Sequence, residues 1–268
     1  MNLHYLVHLA ELGAMHIHPL GEPATISLIK ALDLKPGHIV LEIGCGTAGT
    51  VASILFSHPV SINGVDILPQ MLCVGARRLR FLRLHNKANL LNTQATVLPF
   101  AGQVYDRVYT ESVLGIQGPT AARKMMLEVF RVLRNGGLYV ANEAIWKPSA
   151  SEEIIAGIVK ATTVDFGLGQ ASEQAWYQED WLNLMREVGF EIVSADIIDA
   201  QALAEQGRPG KRLRWGLAIS KLPSLFYQLR GYFIPRLIGR RRHYERLVQK
   251  HHLAGQYIEA RLFVLKKP

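Results

Sequence analysis

The chain has 268 residues, 49% hydrophobic and 19% charged, enough to bury a sizeable core and too apolar for a disordered segment. Two cysteines, Cys45 and Cys73, rule out a disulfide framework and fit a reducing, cytoplasmic setting; no signal peptide or spanning helix is expected. The formal charge of +8 is unevenly placed: residues 1–206 carry 15 Lys and Arg against 20 acids (net −5), and residues 207–268 carry 15 against 2 (net +13).

Residues 1–21 hold His4, His8, His16 and His18 together with Tyr5, and read as a lid segment. His4 and His8 share a helix face at i,i+4, which is also metal-ligand spacing, but histidines in such a segment more often pack or hydrogen-bond, and no metal is expected. Pro23–Leu32 predicts a helix running to the Lys35-Pro36-Gly37 turn and a first strand at about 38–43. A helix at about 48–57 and a strand at about 60–66 follow. Pro69 suits the first turn of the next helix, which carries Met71, Val74 and Leu79 to about residue 84. Strands are predicted at 89–93 and 104–110, then a helix at 119–133 stopped by Asn135-Gly136-Gly137, then a strand at 138–142.

There the rhythm breaks. Residues 148–176 read as irregularly helical, 178–188 as a helix, 190–197 as a sixth strand and 257–265 as a last one, with a basic, strandless insertion between those two strands. The expected fold is α/β: a Rossmann-like, doubly wound, seven-stranded and mostly parallel sheet with helices on both faces and an antiparallel last strand. The expected divisions are a lid at 1–21, a core at 22–200, a helical basic and apolar insertion at 201–255, and a closing strand at 256–268.

The chemistry concentrates after the first strand, where Val40-Leu-Glu-Ile43 leads into Gly44-Cys45-Gly46-Thr47-Ala48-Gly49. Asp66 stands at the tip of the second strand. A glycine turn at the carboxyl edge of a parallel sheet, with an acid on the next strand, is the layout of a nucleotide-type site; the acid can accept from two vicinal ribose hydroxyls. Dinucleotide oxidoreductases share the glycine pattern, and Glu42 discriminates. A pyrophosphate would be repelled by that carboxylate, whereas a ligand carrying an ammonium and a sulfonium would be welcomed. The site therefore points to S-adenosylmethionine.

These segments resemble the class I S-adenosylmethionine-dependent methyltransferases, over about residues 22–200 plus 256–266. Val40–Thr50 is similar to that family's first motif, in which Glu42, Gly44, Cys45, Gly46 and Thr47 would face the amino-acid part of the cofactor. Asp66 resembles the ribose-binding acid, with Ile67, Leu68 and Met71 placed to pack on the adenine. Gln94-Ala95-Thr96-Val97-Leu98-Pro99-Phe100 resembles the adenine-bordering segment, with Gln94 where the family has Asp. Tyr105-Asp106 and Leu133-Arg134-Asn135-Gly136-Gly137 resemble the family's later motifs, and Thr110-Glu111-Ser112 resembles a segment of sterol, tocopherol and prenyl-diphosphate C-methyltransferases.

The resemblance implies an enzyme that methylates a small acceptor, lipophilic and anionic in one version: an isoprenoid, quinone, polyketide or fatty-acid derivative. Methyl transfer needs in-line positioning, and a proton acceptor when a hydroxyl or carbon is methylated. The candidates are Glu111 at the end of the fourth strand, Glu143 with Trp146 at the end of the fifth, and His18 in the lid. In residues 207–250 arginines alternate with Leu, Trp, Tyr and Phe, which suits either a grip on an anionic acceptor or peripheral contact with an anionic membrane. The competing readings are O- or N-methylation of a small metabolite and an RNA methyltransferase using that basic region, of which the second is the more distant. No RNA-binding module or Asn/Asp-Pro-Pro-Tyr/Phe motif supports it, and no nucleic acid is expected.

Overall fold

Apolar runs too short for helices alternate with amphipathic stretches of 9–14 residues, and the chain folds accordingly. The computed structural model describes residues 3–18, 20–169, 171–205 and 207–268. In order the elements are α1 (His4–Glu11), α2 (Glu22–Ala31), β1 (Ile39–Ile43), α3 (Gly49–Ser57), β2 (Ser61–Asp66), α4 (Pro69–Phe81), β3 (Ala88–Asn92), β4 (Tyr105–Glu111) and α5 (Pro119–Val132). Then come β5 (Leu133–Trp146), α6 (Glu152–Phe166), α7 (Gln178–Val188), β6 (Glu191–Ile198), α8 (Ala200–Glu205), α9 (Lys211–Ser220), α10 (Leu222–Phe233), α11 (Pro235–Lys250), a 3-10 turn (His252–Tyr257) and β7 (Ile258–Lys266).

The strand order is β3-β2-β1-β4-β5-β7-β6. Pairs up to β4–β5 are parallel, and β7 runs antiparallel to both its neighbours. The order reverses between β1 and β4, so the carboxyl ends of β1, β2 and β4 open onto one crevice, the place where such sheets bind ligands. One core cluster lies under α2, α3 and α9, and the other under α5 and α7. Central strands covered on both faces explain the nearly unbroken apolar run of β1. No helix among the described residues is long and apolar enough to cross a membrane.

Two expectations need correction. The fifth strand does not begin at 138 or stop at 142 but runs from Leu133 to Trp146. Leu133 pairs with Tyr105 directly after α5, and the ladder resumes at Leu138 opposite Arg107. Gly136, at φ +74°, lets the Arg134–Gly137 bulge form, so the glycines make an irregularity inside a strand rather than the start of one. Second, residues 148–176 are not irregular throughout. Ser151 caps α6 and left-handed Gly167 closes it.

The insertion packs against one flank. Gly216 of α9 sits so close to α3 that a Cβ there would come within 2.7 Å of Ser53 O, and Ser220 Oγ lies 2.9 Å from Ser53 Oγ. Arg78 of α4, fully buried, joins these parts with no acidic partner among the described residues. Its Nε donates to Thr47 O (2.8 Å), Nη1 to Ser220 O (2.7 Å) and Ser224 Oγ (3.0 Å), and Nη2 to Gly13 O (3.0 Å) and Thr47 Oγ1 (3.1 Å). One guanidinium thus ties the glycine loop, the N-terminal segment and α9–α10 to the sheet. Arg78→Met would leave three buried carbonyls without this donor. A loss of about 3 kcal/mol or more is expected in urea denaturation, with faster proteolysis around residues 3–18; an unchanged midpoint would contradict the role.

Candidate active site

A cavity of 1420 Å³ opens at the carboxyl edge, lined by the β1–α3 loop, the tip of β2, the turn after β3, the end of β4 and segment 14–18. The loop is built from inside. Gly44 and Cys45 N–H both donate to Val65 O (2.8 and 2.9 Å), and Gly46 N–H donates to Asp66 Oδ2 (2.8 Å). Leu68 N–H donates to Asp66 Oδ1 (2.8 Å), so both carboxylate oxygens are oriented, and each keeps a lone pair for another donor.

The glycines serve different neighbours. Gly44, at φ +74°, faces Val113, and a Cβ there would fall 2.3 Å from Val113 Cγ2. Gly49 admits Met15 of the N-terminal segment, at 2.8 Å from a notional Cβ. Gly46, at φ +49°, has open space and only Met71 Sδ, at 3.9 Å. Both glycines line the cavity, but a side chain would be accommodated at Gly46 alone, because Val113 stands where a Gly44 Cβ would project. Cys45 turns its sulfur down onto Gly64, where burial pushes the thiol well up and leaves it inert.

Five acids line this cavity, Glu42, Asp66, Glu111, Asp199 and Glu259, and the first three stand at the ends of β1, β2 and β4. Glu42 is buried and accepts from Tyr109 Oη at 2.8 Å; burial, reinforced by the charge of Glu111, raises its carboxyl well above the usual range. Burial also raises Asp66, against the pull of its three backbone donors. Glu111 goes the other way. Burial would raise it, but His18 and His16, with the Thr25 hydroxyl, hold it below its ordinary value and so ionised.

The Glu111 carboxylate is the hub of a network. Thr50 Oγ1 donates to Oε1 (3.0 Å) and Thr25 Oγ1 to Oε2 (2.8 Å), while His18 Nε2 is in direct contact with Oε2. His16 Nδ1 and His18 Nε2 each lie 3.0 Å from Thr25 Oγ1, and Asn142 Nδ2 lies 3.2 Å from His18 Nδ1. Burial lowers His16 to about 4, so it is neutral at physiological pH. His16, His18 and Glu111 present ligand atoms within 4.8 Å of one another, a spacing that a metal ion would accept, but the Thr25 hydroxyl already links all three. His18 follows the lid expectation; Pro19 beside it lies outside the described residues. His4 and His8 do not line the cavity: they sit on α1, with buried His8 stacked on Tyr244 at 5.0 Å.

Glu143 is a correction. β5 continues past it, and its buried carboxylate turns away from the cavity to accept from Thr110 Oγ1 (2.8 Å), Leu114 N–H (3.2 Å) and Gly115 N–H (2.9 Å). It folds the loop after β4. Trp146 forms no cavity wall either; it is fully buried, its Nε1 donating to Ser172 O (2.9 Å). Asp106, matched above to a family motif, is structural: it accepts from Ile39 N–H (2.8 Å) and Arg134 Nη1 (2.6 Å) at the opposite edge of the sheet.

Ile67, Met71, Gln94 and Ala95 line the cavity, with Thr47 in the loop. The lining also includes apolar Leu6, Leu9, Ile116, Phe166, Leu168 and Ile258, with Asp199 and Glu259 among them. Among the described residues lining the cavity, Lys147 is the one Lys or Arg, and its Nζ donates to Gln256 O (3.0 Å). Among the described residues no arginine of 207–250 lines it: α9 packs on α3, and α11 contributes Val248 alone. Sequence reasoning missed Thr25, Thr50, Asn142 and Val113. A buried Thr on an apolar helix face carries no pattern of its own; only the spatial approach of Glu111 identifies it.

Comparison with known proteins agrees. A methyltransferase-domain family model matches residues 40–137. An O-methyltransferase of Pyrenophora dematioidea is 28% identical over 213 residues, covering 74% of this chain and 75% of that protein. A 24-methylenesterol C-methyltransferase 2 of Oryza sativa subsp. japonica is 27% identical, covering 60% of this chain and 44% of its own length. Geranyl diphosphate C-methyltransferase from Streptomyces coelicolor, solved with Mg2+, geranyl-S-thiolodiphosphate and S-adenosyl-L-homocysteine, superposes with a TM-score of 0.62 at 16% identity. It covers 93% of this chain and 77% of that one, a likeness of fold.

Gly44 offers a local test. Gly44→Ala should cost at least about 2 kcal/mol, from the positive φ and the clash with Val113 together. Adding Val113→Ala should recover the steric part only, as read from denaturant midpoints of the single and double variants; full recovery would mean that φ carries no strain.

Proposed function

Because this chain belongs to the class I S-adenosylmethionine-dependent methyltransferases, we propose that it methylates a small, lipophilic and largely uncharged acceptor, with Glu111 and His18 taking up the proton that the acceptor releases. The observation that carries this reading is the charge of the cavity. Glu42, Asp66 and Glu111 converge on one space whose lining holds a single Lys or Arg, and burial already strains two of these carboxylates. Such a cradle fits a ligand with a sulfonium and an ammonium and repels a pyrophosphate.

When bound, S-adenosylmethionine supplies an electrophilic methyl group. The residues of the chain do the rest. Asp66, already oriented by Gly46 and Leu68, would receive the ribose hydroxyls, and Met71 with Ile67 would flank the adenine. The apolar lining residues, from Leu6 to Ile258, hold the acceptor and exclude water. As the acceptor takes up that methyl group, the proton it releases would pass to the Glu111–His18 pair. Ionised Glu111 also places negative charge where a cation develops if carbon is the methylated atom.

His18 is poised for this. Its Nε2 faces Glu111 and Nδ1 faces the Asn142 amide, whose Oδ1 has no hydrogen-bond partner among the described residues. Rotation of that amide would turn Oδ1 to meet an imidazolium N–H, so either protonation state of His18 finds a partner. The anionic version of the acceptor finds no support, since the arginines of 207–250 lie outside the cavity. For the same reason no basic track leads RNA into the site.

Three results are expected. Asp66→Ala should weaken cofactor binding about tenfold or more. Glu111→Gln should lower kcat about 10²–10⁴-fold while leaving the cofactor dissociation constant within a few-fold; equal losses in both would make Glu111 a binding residue only. Glu42 gives a pH signature: its raised carboxyl is ionised by a cationic ligand, so binding releases protons and tightens as pH rises towards that raised value. Calorimetry in buffers of different ionisation enthalpy should show this release for the sulfonium cofactor and less for the neutral-sulfur product.

A further inference from the structure

α10 faces the wrong way for a helix of a water-exposed surface. Its inner face is Pro223, Ser224, Tyr227 and Gly231, buried against the N-terminal segment. Its outer face is Leu222, Leu225, Phe226, Leu229 and Phe233, at the i, i+3, i+4, i+7 spacing of one stripe. Phe226 is 64% and Phe233 79% exposed. On the preceding helix, α9, Trp215 is also 61% exposed. A run of large apolar side chains along two successive helices is more than the scattered exposure of ordinary surfaces.

The stripe sits in a cationic field. Residues 206–244 contain ten Lys and Arg and no acid. Some are engaged: Lys221 pairs with Glu22, Arg236 and Arg240 with Glu11, and Arg241 with Glu245. Arg212, Arg214 and Arg230 are exposed and make no ion pair among the described residues. By helical spacing Arg212 lies one turn before Trp215 and Arg230 one turn after Phe226, at the edge of the stripe, with the Arg230 guanidinium 5.9 Å from the Tyr227 ring.

We propose that the outer face of α9–α10 is a membrane-docking surface that beds its aromatic and leucine side chains among the headgroups of an anionic bilayer. The arginines meet lipid phosphates while their stems lie along the acyl boundary. A second copy of the chain is the poorer occupant, because a two-fold contact would press like charges together. A nucleic acid would satisfy the arginines and strand the leucines. The proposal rests on the reading of a lipophilic acceptor and gives it a source, since such an acceptor would be dissolved in the bilayer. The docking helix also reaches the site: Ser224 Oγ donates to Gly13 O (2.7 Å), and Tyr227 packs on Gly13, directly before the cavity-lining residues 14–18.

The test is sedimentation of the full-length protein with phosphatidylcholine vesicles and with vesicles that also contain phosphatidylglycerol. Binding is expected on the anionic vesicles, weakening with salt. Phe226→Ser and Leu229→Ser should each weaken it about tenfold, and Arg230→Gln about five-fold on anionic vesicles only. All three side chains are exposed, and calorimetric binding of S-adenosylhomocysteine should stay unchanged, which separates failure of docking from failure of the methyltransferase reading. The proposal is overturned by wild-type protein that ignores anionic vesicles, by binding indifferent to Phe226 and Leu229, by steeply salt-dependent retention on RNA without vesicle binding, or by a dimer that Phe226→Ser dissociates while vesicles are ignored.

Discussion

Arg78 is the constraint on which the site depends. A guanidinium without exposed surface, held by carbonyls and hydroxyls and by no carboxylate among the described residues, is costly unless its donors are used, and here they are. Burial lowers it to about 10, so it stays charged at neutral pH. Its partners come from sequence positions near 13, 47, 220 and 224, and the loop that would hold the cofactor is fixed to the lid and to the flank helices by one residue. The lid is thus part of the cavity wall, with Met15 against Gly49 and Thr47 Oγ1 donating to Ala14 O at 2.6 Å.

On that frame the charges divide the labour. At the β1–β2 end, desolvation holds Glu42 and Asp66 above their ordinary range, which stores an attraction for a cation. At the β4 end, two imidazoles and two threonine hydroxyls keep Glu111 ionised. Carboxylates of the same cavity are pushed in opposite directions by their surroundings, as a site needs when one end binds charge and the other handles a proton.

The sheet was legible because its signals are local: short apolar runs, Pro69 and Pro119 at helix starts, and glycines at loops. The glycine loop was legible as the wall of a crevice because Glu42, the glycines and Asp66 keep their order along the chain, and they line one cavity. What failed was anything set by a neighbour distant in sequence. Glu143 and Glu111 look alike as acids near strand ends; only the fold shows that the loop after β4 closes over Glu143 and leaves Glu111 facing the lid. Likewise the alternation of arginine with leucine in 207–250 indicated an amphipathic surface but not its direction. Gly216 and Tyr227 set that direction by packing inwards and leaving the apolar stripe outside.

The central claim is that the acidic crevice at the ends of β1 and β2 takes a sulfonium nucleoside. Isothermal calorimetry of the full chain with S-adenosylmethionine, S-adenosylhomocysteine and a nicotinamide dinucleotide tests it most directly. Saturable heat is predicted for the first two and none for the third. Heat for the dinucleotide alone would contradict the account.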